Sequence, residues 1–307
     1  MNGHAGPDGT PRRDHPASLY AESRGIDVLI PTLNEKMHIE EAVRNARTVG
    51  NVYVLDSFST DGTQELARRA GAHVVEHAFV DYAKQKNWGL DNLPFTGRWI
   101  FILDADERIT PQLRAELFRI AREDGPVNGY YVNRVVIYMG HAVRRGGLYP
   151  SWNLRFFRRG KARYEDRAVH EHMLCEGEAA YIPRPLEMLH IRRESLFEWI
   201  RKHIRYADLE STEWIRLRKG ERPGAEASRL FRDLLRYRWY LRREVWPRTP
   251  FRPLLRFLYM YVVRLGVLDG RAGLRLAALN ACYEYMIGLL YREKLANLRA
   301  AQAKAEP

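Results

Sequence analysis

Asp104 and Asp106 stand two residues apart in the segment WIFILDADERIT, directly after an apolar run that reads as a buried strand. Two carboxylates at this spacing can converge on one hard cation whose remaining ligands are diphosphate oxygens and water. Such a cation acts as a Lewis acid on a departing diphosphate and as a template for the group it carries. Taken alone, the pair also fits a strand-to-helix turn in which Asp106 or Glu107 caps a helix starting near Thr110 or Pro111. The neighbourhood favours the site. Asp56 ends an earlier apolar run, NVYVLD, and leads into the turn Ser57, Phe58, Ser59, Thr60, Asp61, Gly62. A ribose or base at Asp56 and a metal at Asp104 and Asp106 would account for two strand-end acids facing one crevice, whereas Ser59, Thr60 or Asp61 serves the next helix as a cap.

Upstream, Pro31 is expected to end the ladder pairing of the run IDVLIP, and Asn34 and Glu35 present an amide and a carboxylate to the same crevice. Glu35 could accept a hydrogen bond from a nucleobase or ribose. In the segment Lys84, Gln85, Lys86, Asn87 the lysines suit phosphate, with a solvated helix face the alternative for Lys84. His73, His77, His141, His172, His190 and His203 show no metal-ligand spacing and read as surface or satisfied residues. No Ser-His-Asp arrangement points to a covalent mechanism.

The elements that must position these residues alternate from Asp27 onward. Strand-like IDVLIP, NVYVLD, HVVEH and RWIFILD are separated by helix-like HIEEAVRNARTV, TQELARRAG and YAKQKNWGLDNL. That order predicts a Rossmann-like, mainly parallel sheet with helices on both faces and ligands beyond the carboxyl ends of its strands. After a helix at PQLRAELFRIARED the chain turns β-rich, in GYYVNRVVIYMG and YPSWNLRFFRRGKARYED, a half expected to complete the sheet and supply the acceptor side. Beyond about residue 195 the pattern becomes helical. The expected organisation is a disordered tail over 1–24, a catalytic domain over 25–195 and a basic helical region over 196–307.

The 307 residues carry a net charge of +12, which favours anionic partners: nucleotide diphosphates, nucleic acid or an acidic membrane surface. Two distant cysteines, Cys175 and Cys282, fit neither a zinc site nor a disulfide framework and suit a reducing cytoplasm. No secretion signal is evident, and no stretch reaches the roughly 18 apolar residues of a spanning helix.

Together, IPTLNE, VLDSFSTDGT, KQKN, LDADERI, NLRFFRRG, AVHEH and LGVLDGRAG resemble, in order over roughly residues 26 to 273, the bacterial family 2 glycosyltransferases of the GT-A fold. The branch they are most similar to is that of the lipopolysaccharide-core β-glucosyltransferases. The resemblance implies inverting transfer of a hexose such as glucose from a UDP-sugar to a cell-envelope glycan or lipid-linked acceptor. It places Pro31, Asn34, Glu35, Asp56, Lys86 and Asp104 at the nucleotide-sugar, and Asp104 and Asp106 at Mg2+ or Mn2+. An inverting displacement needs a carboxylate near the acceptor hydroxyl, opposite the leaving diphosphate. Asp166 and Glu171 are the candidates; the Val-His-Glu triplet favours Glu171, with His170 orienting it or touching phosphate. A salt bridge from Glu171 to Arg155, Arg158 or Arg159 is the structural alternative. Otherwise Arg155 and Arg158 suit an acceptor bearing phosphate or acidic sugars.

Between Arg229 and Arg256 nine arginines meet only two acids, interleaved with Tyr237, Trp239, Tyr240 and Trp246. With the helices around FLYMYVVRLGVL and LNACYEYMIGLLYREKL, this region is expected to lie on an anionic membrane, placing the protein on the inner face of the cytoplasmic membrane. Two rivals remain: a nucleic-acid-binding protein, which leaves the strand-end acids unexplained, and a non-catalytic sugar-binding relative. No nucleic acid is expected as a partner.

Overall fold

The computed structural model describes residues 25–123, 125–165, 173–192, 195–218, 246 and 249–305. The tail over 1–24 lies outside them.

The apolar runs of the first hundred residues become β1 (Ile26–Thr32), β2 (Asn51–Asp56), β3 (His73–Glu76) and β4 (Trp99–Ile102), all parallel, in the spatial order β3-β2-β1-β4. Helices α1 (Ile39–Ala46) and α2 (Thr63–Arg69) bury Val43, Ala46 and Ala67 on one face of this sheet. On the other face, α3 (Tyr82–Asn92) buries Ala83 against Leu29, Leu55 and Ile102. A parallel strand covered on both faces must be apolar at successive positions, and the fully buried Val28, Leu29 and Ile30 meet that demand. Gly50 admits the chain to β2, since a Cβ there would lie 1.9 Å from the Ile26 carbonyl oxygen. Pro31 does not end pairing as expected: β1 continues through it, with Pro31 opposite Leu55 and Thr32 opposite Asp56. Pairing with β4 covers only Ile26 to Leu29, so no ladder on that side requires the missing N–H.

The chain then forms β5 (Glu107–Ile109), α4 (Pro111–Arg122), β6 (Gly129–Tyr138), β7 (His141–Val143), β8 (Ser151–Arg158), β9 (Ala162–Tyr164), β10 (Met173–Cys175), β11 (Ala179–Tyr181) and β12 (Glu187–Arg192). The sheet continues β4-β8-β6-β12-β5, with β11 parallel to β6; β8 is antiparallel to both β4 and β6, and β12 to β5. The result is an α/β fold with a mixed sheet. β5 follows β4 by a short turn yet lies four places away in the order. A flat sheet would separate the two by about 19 Å at ~4.8 Å per strand, slightly more than the roughly 17–18 Å that the five residue steps from Ile102 to Glu107 can span. That chain is not taut, because Glu107 N–H bonds back to the Asp104 carbonyl at 2.9 Å. The sheet therefore curls, and β12 and β5 close around the carboxyl end of β4.

The chain divides into two compact units, residues 1–137 with 150–191 and residues 138–149 with 192–307. Segment 138–149 groups with the helical part: its Val143 is buried with Ala272 and Leu276. In the second unit, α5 (Leu196–Arg218) and α7 (Gly270–Ala305) bury Ala207, Trp214 and Ile287 together, and α6 (Arg252–Leu258) runs into a π-helical turn over Tyr259–Val263 and a 3-10 turn over Gly266–Asp269. No helix among the described residues is long and apolar enough to cross a membrane.

Candidate active site

Two loops after β1 and β2 are stitched into one surface. Asp56, fully buried, accepts hydrogen bonds at Oδ2 from Thr32 Oγ1 (2.7 Å) and Ser59 Oγ (2.6 Å), and at Oδ1 from Ser59 N–H (2.7 Å) and Gln64 Nε2 (2.8 Å). Asn34, in the left-handed region at φ 57°, donates its N–H to Ser59 Oγ at 2.8 Å and accepts at Oδ1 from Thr60 N–H at 3.0 Å. Glu35 N–H donates to Thr63 Oγ1 at 2.8 Å. Asp61 does not cap α2 in the expected way; its carboxylate accepts from Lys36 N–H at 3.0 Å and from Thr63 N–H at 3.0 Å, and Gly62 occupies the cap position. Asp56 therefore organises the loop as much as it lines it.

The acids after β4 sit at the mouth of the curl. Thr110 caps α4, its Oγ1 accepting from Leu113 N–H at 3.2 Å with Pro111 opening the helix, so neither Asp106 nor Glu107 is used as a cap. Glu107 Oε2 instead accepts from Asp104 N–H at 3.0 Å. Across the mouth, Arg155 on β8 places Nη2 2.6 Å from Asp104 Oδ2 and 3.1 Å from Glu107 Oε1, and Arg134 on β6 lies 3.4 Å from Glu107 Oε1. Burial pushes the Asp104 carboxyl up, but Arg155, Lys86 and Arg134 outweigh it and hold the group well below the usual carboxylate range. For Glu107, entirely buried, desolvation wins and the pKa is raised. Arg155 resists the opposing pull of burial and is held above its ordinary value by Asp104 and Glu107.

His190 is the residue that sequence reasoning missed. Strand β12 pairs with β5 so that His190 lies opposite Glu107, and Ile191 N–H donates to the Asp106 carbonyl at 2.7 Å. The imidazole Nδ1 thereby comes within 3.3 Å of Asp106 Oδ1, yet it is buried without a well-formed hydrogen bond. Burial raises the Asp106 pKa, but His190 beside it draws it below normal. The available signal was the strand-like segment EMLHIR; nothing in it named the partner strand.

Among the described residues no three acidic, histidine or cysteine side chains stand close enough together to hold a metal ion. The chemistry of the donor set nonetheless fits a divalent cation. Asp104 and Asp106 offer carboxylate oxygens that are about a third exposed, and the Nδ1 of His190, orphaned as a hydrogen-bonding atom, is aimed at Asp106. Lys86 lies over the Tyr164 ring at 4.9 Å to its centroid, on the side from which its charge reaches Asp104. Its neighbours fix it there: buried Gln85 donates to Ser57 Oγ at 3.0 Å, and Asn87 exchanges hydrogen bonds with the Tyr164 backbone at 2.9 and 3.0 Å.

The two arginines expected on the acceptor side have different surroundings. Arg155 is buried between Asp104 and Glu107, because its place on β8 puts it beside the end of β4. Arg158 pairs opposite Trp99 at the start of β4, away from the crevice; it donates to the Gly125 carbonyl at 2.6 Å and covers the Trp99 ring. Asp166, His170 and Glu171 lie outside the described residues, as does the arginine-rich stretch for most of its length.

A family model described as glycosyl transferase family 2 matches residues 27–187, more than half of the chain. The lipopolysaccharide core biosynthesis glycosyltransferase LpsC of Rhizobium meliloti is 29% identical over 204 residues, 64% of this chain and 74% of its own length. The glycosyltransferase AglJ of Haloferax volcanii is 52% identical over 52 residues, 16% of this chain and 17% of its own length. Glucosyl-3-phosphoglycerate synthase from Mycobacterium tuberculosis, solved in complex with Mg2+ and uridine diphosphate, is similar at 23% identity with a TM-score of 0.33, over 39% of this chain and 48% of that one.

Proposed function

We propose that this chain, which belongs to glycosyl transferase family 2, moves a hexose such as glucose from a UDP-sugar to a cell-envelope glycan or glycolipid, with inversion at the anomeric carbon. The observation that carries this reading is the partly exposed pair Asp104 and Asp106 at the carboxyl end of β4, with His190 Nδ1 3.3 Å from Asp106, beside a parallel β1-β2 pair whose loops are knitted by Asp56. Similarity to LpsC supports a lipopolysaccharide-core acceptor.

In this mechanism the nucleoside lies over the loops of Pro31, Asn34, Glu35 and Asp56, and Lys86 faces the diphosphate. Asp104 and Asp106, the latter oriented by His190, would hold a Mg2+ or Mn2+ ion, which would supply Lewis-acid neutralisation of the departing diphosphate. The acceptor oxygen bonds to the anomeric carbon as the carbon–oxygen bond to UDP breaks, and UDP leaves with the bonding electrons. The hydroxyl proton passes to a carboxylate on the opposite face; Glu171 takes this role, with His170 orienting it and Asp166 the second candidate. Arg155 keeps Asp104 ionised and in place.

The second unit supports a station on the inner face of the cytoplasmic membrane. Phe251, Leu254, Leu258 and Val262 recur at helical spacing and are 78%, 56%, 42% and 55% exposed, with Arg256 and Arg264 among them. An apolar stripe with interspersed cations suits an anionic lipid surface carrying a lipid-linked acceptor.

A panel of UDP-sugars tests the donor assignment. One of them, with Mn2+, should raise the melting temperature by mass action and be turned over. A panel in which no UDP-sugar stabilises the protein or reacts would overturn it.

A further inference from the structure

Three aromatic side chains of the catalytic unit take no part in the donor chemistry. Tyr131 on β6 and Tyr181 on β11 stack with ring centroids 4.7 Å apart and 17° between planes. Trp152 on β8 meets Tyr181 edge-to-face at 5.1 Å and 86°. Tyr181 remains 60% exposed. A large aromatic ring left in water forgoes much of its burial energy, and one fixed from two sides by other rings is a preorganised plate.

Strand register places this plate relative to the reacting centre. The β4-β8 ladder ends with Phe101 opposite Phe156; past an irregularity in β8 at Arg155, Leu154, Asn153 and Trp152 run on toward the end of the sheet where β4 gives way to Asp104. On β6, Asn133 lies opposite Trp152 and Tyr131 opposite Leu154; on β11, Tyr181 lies opposite Tyr131. Three strand spacings of ~4.8 Å put Tyr181 about 14 Å from β4, along the crevice edge of the sheet. Tyr131 packs on the apolar cluster that includes Leu154 and Tyr164, the residue beneath Lys86, so the plate and Lys86 share one sheet face. It stands on the antiparallel side of Asp104, whereas the Asp56 loops stand on the parallel side.

We propose that Tyr131, Trp152 and Tyr181 form a glycan-binding subsite that holds a sugar ring of the acceptor a few residues from the reacting hydroxyl. The proposal rests on the reading of this chain as a transferase acting on a glycan. A pyranose offers one face of C–H bonds, weakly positive at their hydrogens, to the negative face of an aromatic ring, while its hydroxyls stay in water. Inversion brings the acceptor in opposite the leaving diphosphate, and a plate on the far side of Asp104 from the nucleotide loops meets that requirement.

The test uses the full chain and a deacylated lipopolysaccharide-core oligosaccharide as probe, followed by broadening of the oligosaccharide's proton NMR signals. The wild type should broaden them, Tyr181→Ala and Trp152→Ala should weaken binding at least tenfold, and Tyr181→Phe should restore it, since the ring and not the hydroxyl does the work. Tyr181 is exposed enough for its alanine variant to fold, and stabilisation by UDP with Mn2+ should match wild type in every variant. No broadening by the wild type, wild-type binding by Tyr181→Ala, or a sizing profile in which Tyr181→Ala alone dissociates a dimer would overturn the subsite. Failure of UDP to stabilise any of the proteins would instead count against the donor reading, and is read independently of the glycan.

Discussion

The two halves of the catalytic sheet place their functional side chains by different means. In the parallel half, each strand delivers a polar loop at its carboxyl end, so Asn34, Glu35, Asp56 and Asp104 follow their strands within a few residues. In the antiparallel half, Arg134, Arg155 and His190 reach the same crevice from the middle of β6, β8 and β12, and only the curl of the sheet brings them together. The first arrangement is local in sequence, and the second depends on register. Asp106, on the donor side and partly exposed, should accordingly tolerate substitution as far as folding goes, while the register-borne groups should bind stability and activity together.

The sharpest contrast is expected between Asp106→Ala and Arg155→Ala. In Asp106→Ala, turnover should fall by a factor on the order of a thousand or more, read by coupled UDP release, with a melting temperature close to wild type. Glu171→Gln should lose turnover on the same scale, and wild-type rates in that variant would move the base to Asp166. Arg155→Ala leaves Asp104 and Glu107 without their shared cation, and should cost about 3–5 kcal/mol in chemical denaturation, with activity lost alongside. Should Arg155→Ala prove as stable as wild type, the buried network is not what holds the mouth of the curl.

What the sequence revealed follows the same division. The strand–helix alternation and the acids at strand ends were legible because a covered parallel strand must be continuously apolar and its loop must be polar. Asp106 and Glu107 suited a cap for the helix after them, yet Thr110 takes that place and Glu107 accepts from Asp104 N–H, a pairing that no spacing in the sequence announces. Arg155 and Arg158 read alike as basic residues on one strand. Three residues of register separate a buried clamp on Asp104 from a side chain over Trp99. His190 carried no spacing signal, because its partner lies more than eighty positions earlier and meets it only through β5-β12 pairing.

Smaller effects refine the comparison. Asp56→Asn removes the charge that gathers Thr32, Ser59 and Gln64, and should cost about 1–3 kcal/mol while raising the UDP-sugar KM more than it lowers kcat. On the second unit, Val262→Asp with Val263→Asp should abolish co-sedimentation with vesicles containing phosphatidylglycerol without changing turnover of a soluble acceptor; unchanged sedimentation would remove the stripe from the account. The smallest shift concerns Asp61. Burial raises its pKa, but hydrogen bonds from Thr63 and Lys36 hold it below normal. Its ionised form therefore stabilises the loop above the ordinary aspartate pKa, and that contribution is lost as pH falls through the lowered value. Asp61→Asn should be slightly less stable than wild type at neutral pH and converge with it in acid, as urea titrations at several pH values would show.

The central claim is that Asp104 and Asp106, the latter oriented by His190, take the ion that carries the donor diphosphate. Manganese binding in the presence of UDP, followed by electron paramagnetic resonance, tests it most directly. Wild type should bind one Mn2+ per chain, with Asp106→Ala losing it and His190→Ala weakened by about tenfold or more. Equal binding by all three proteins would contradict the assignment.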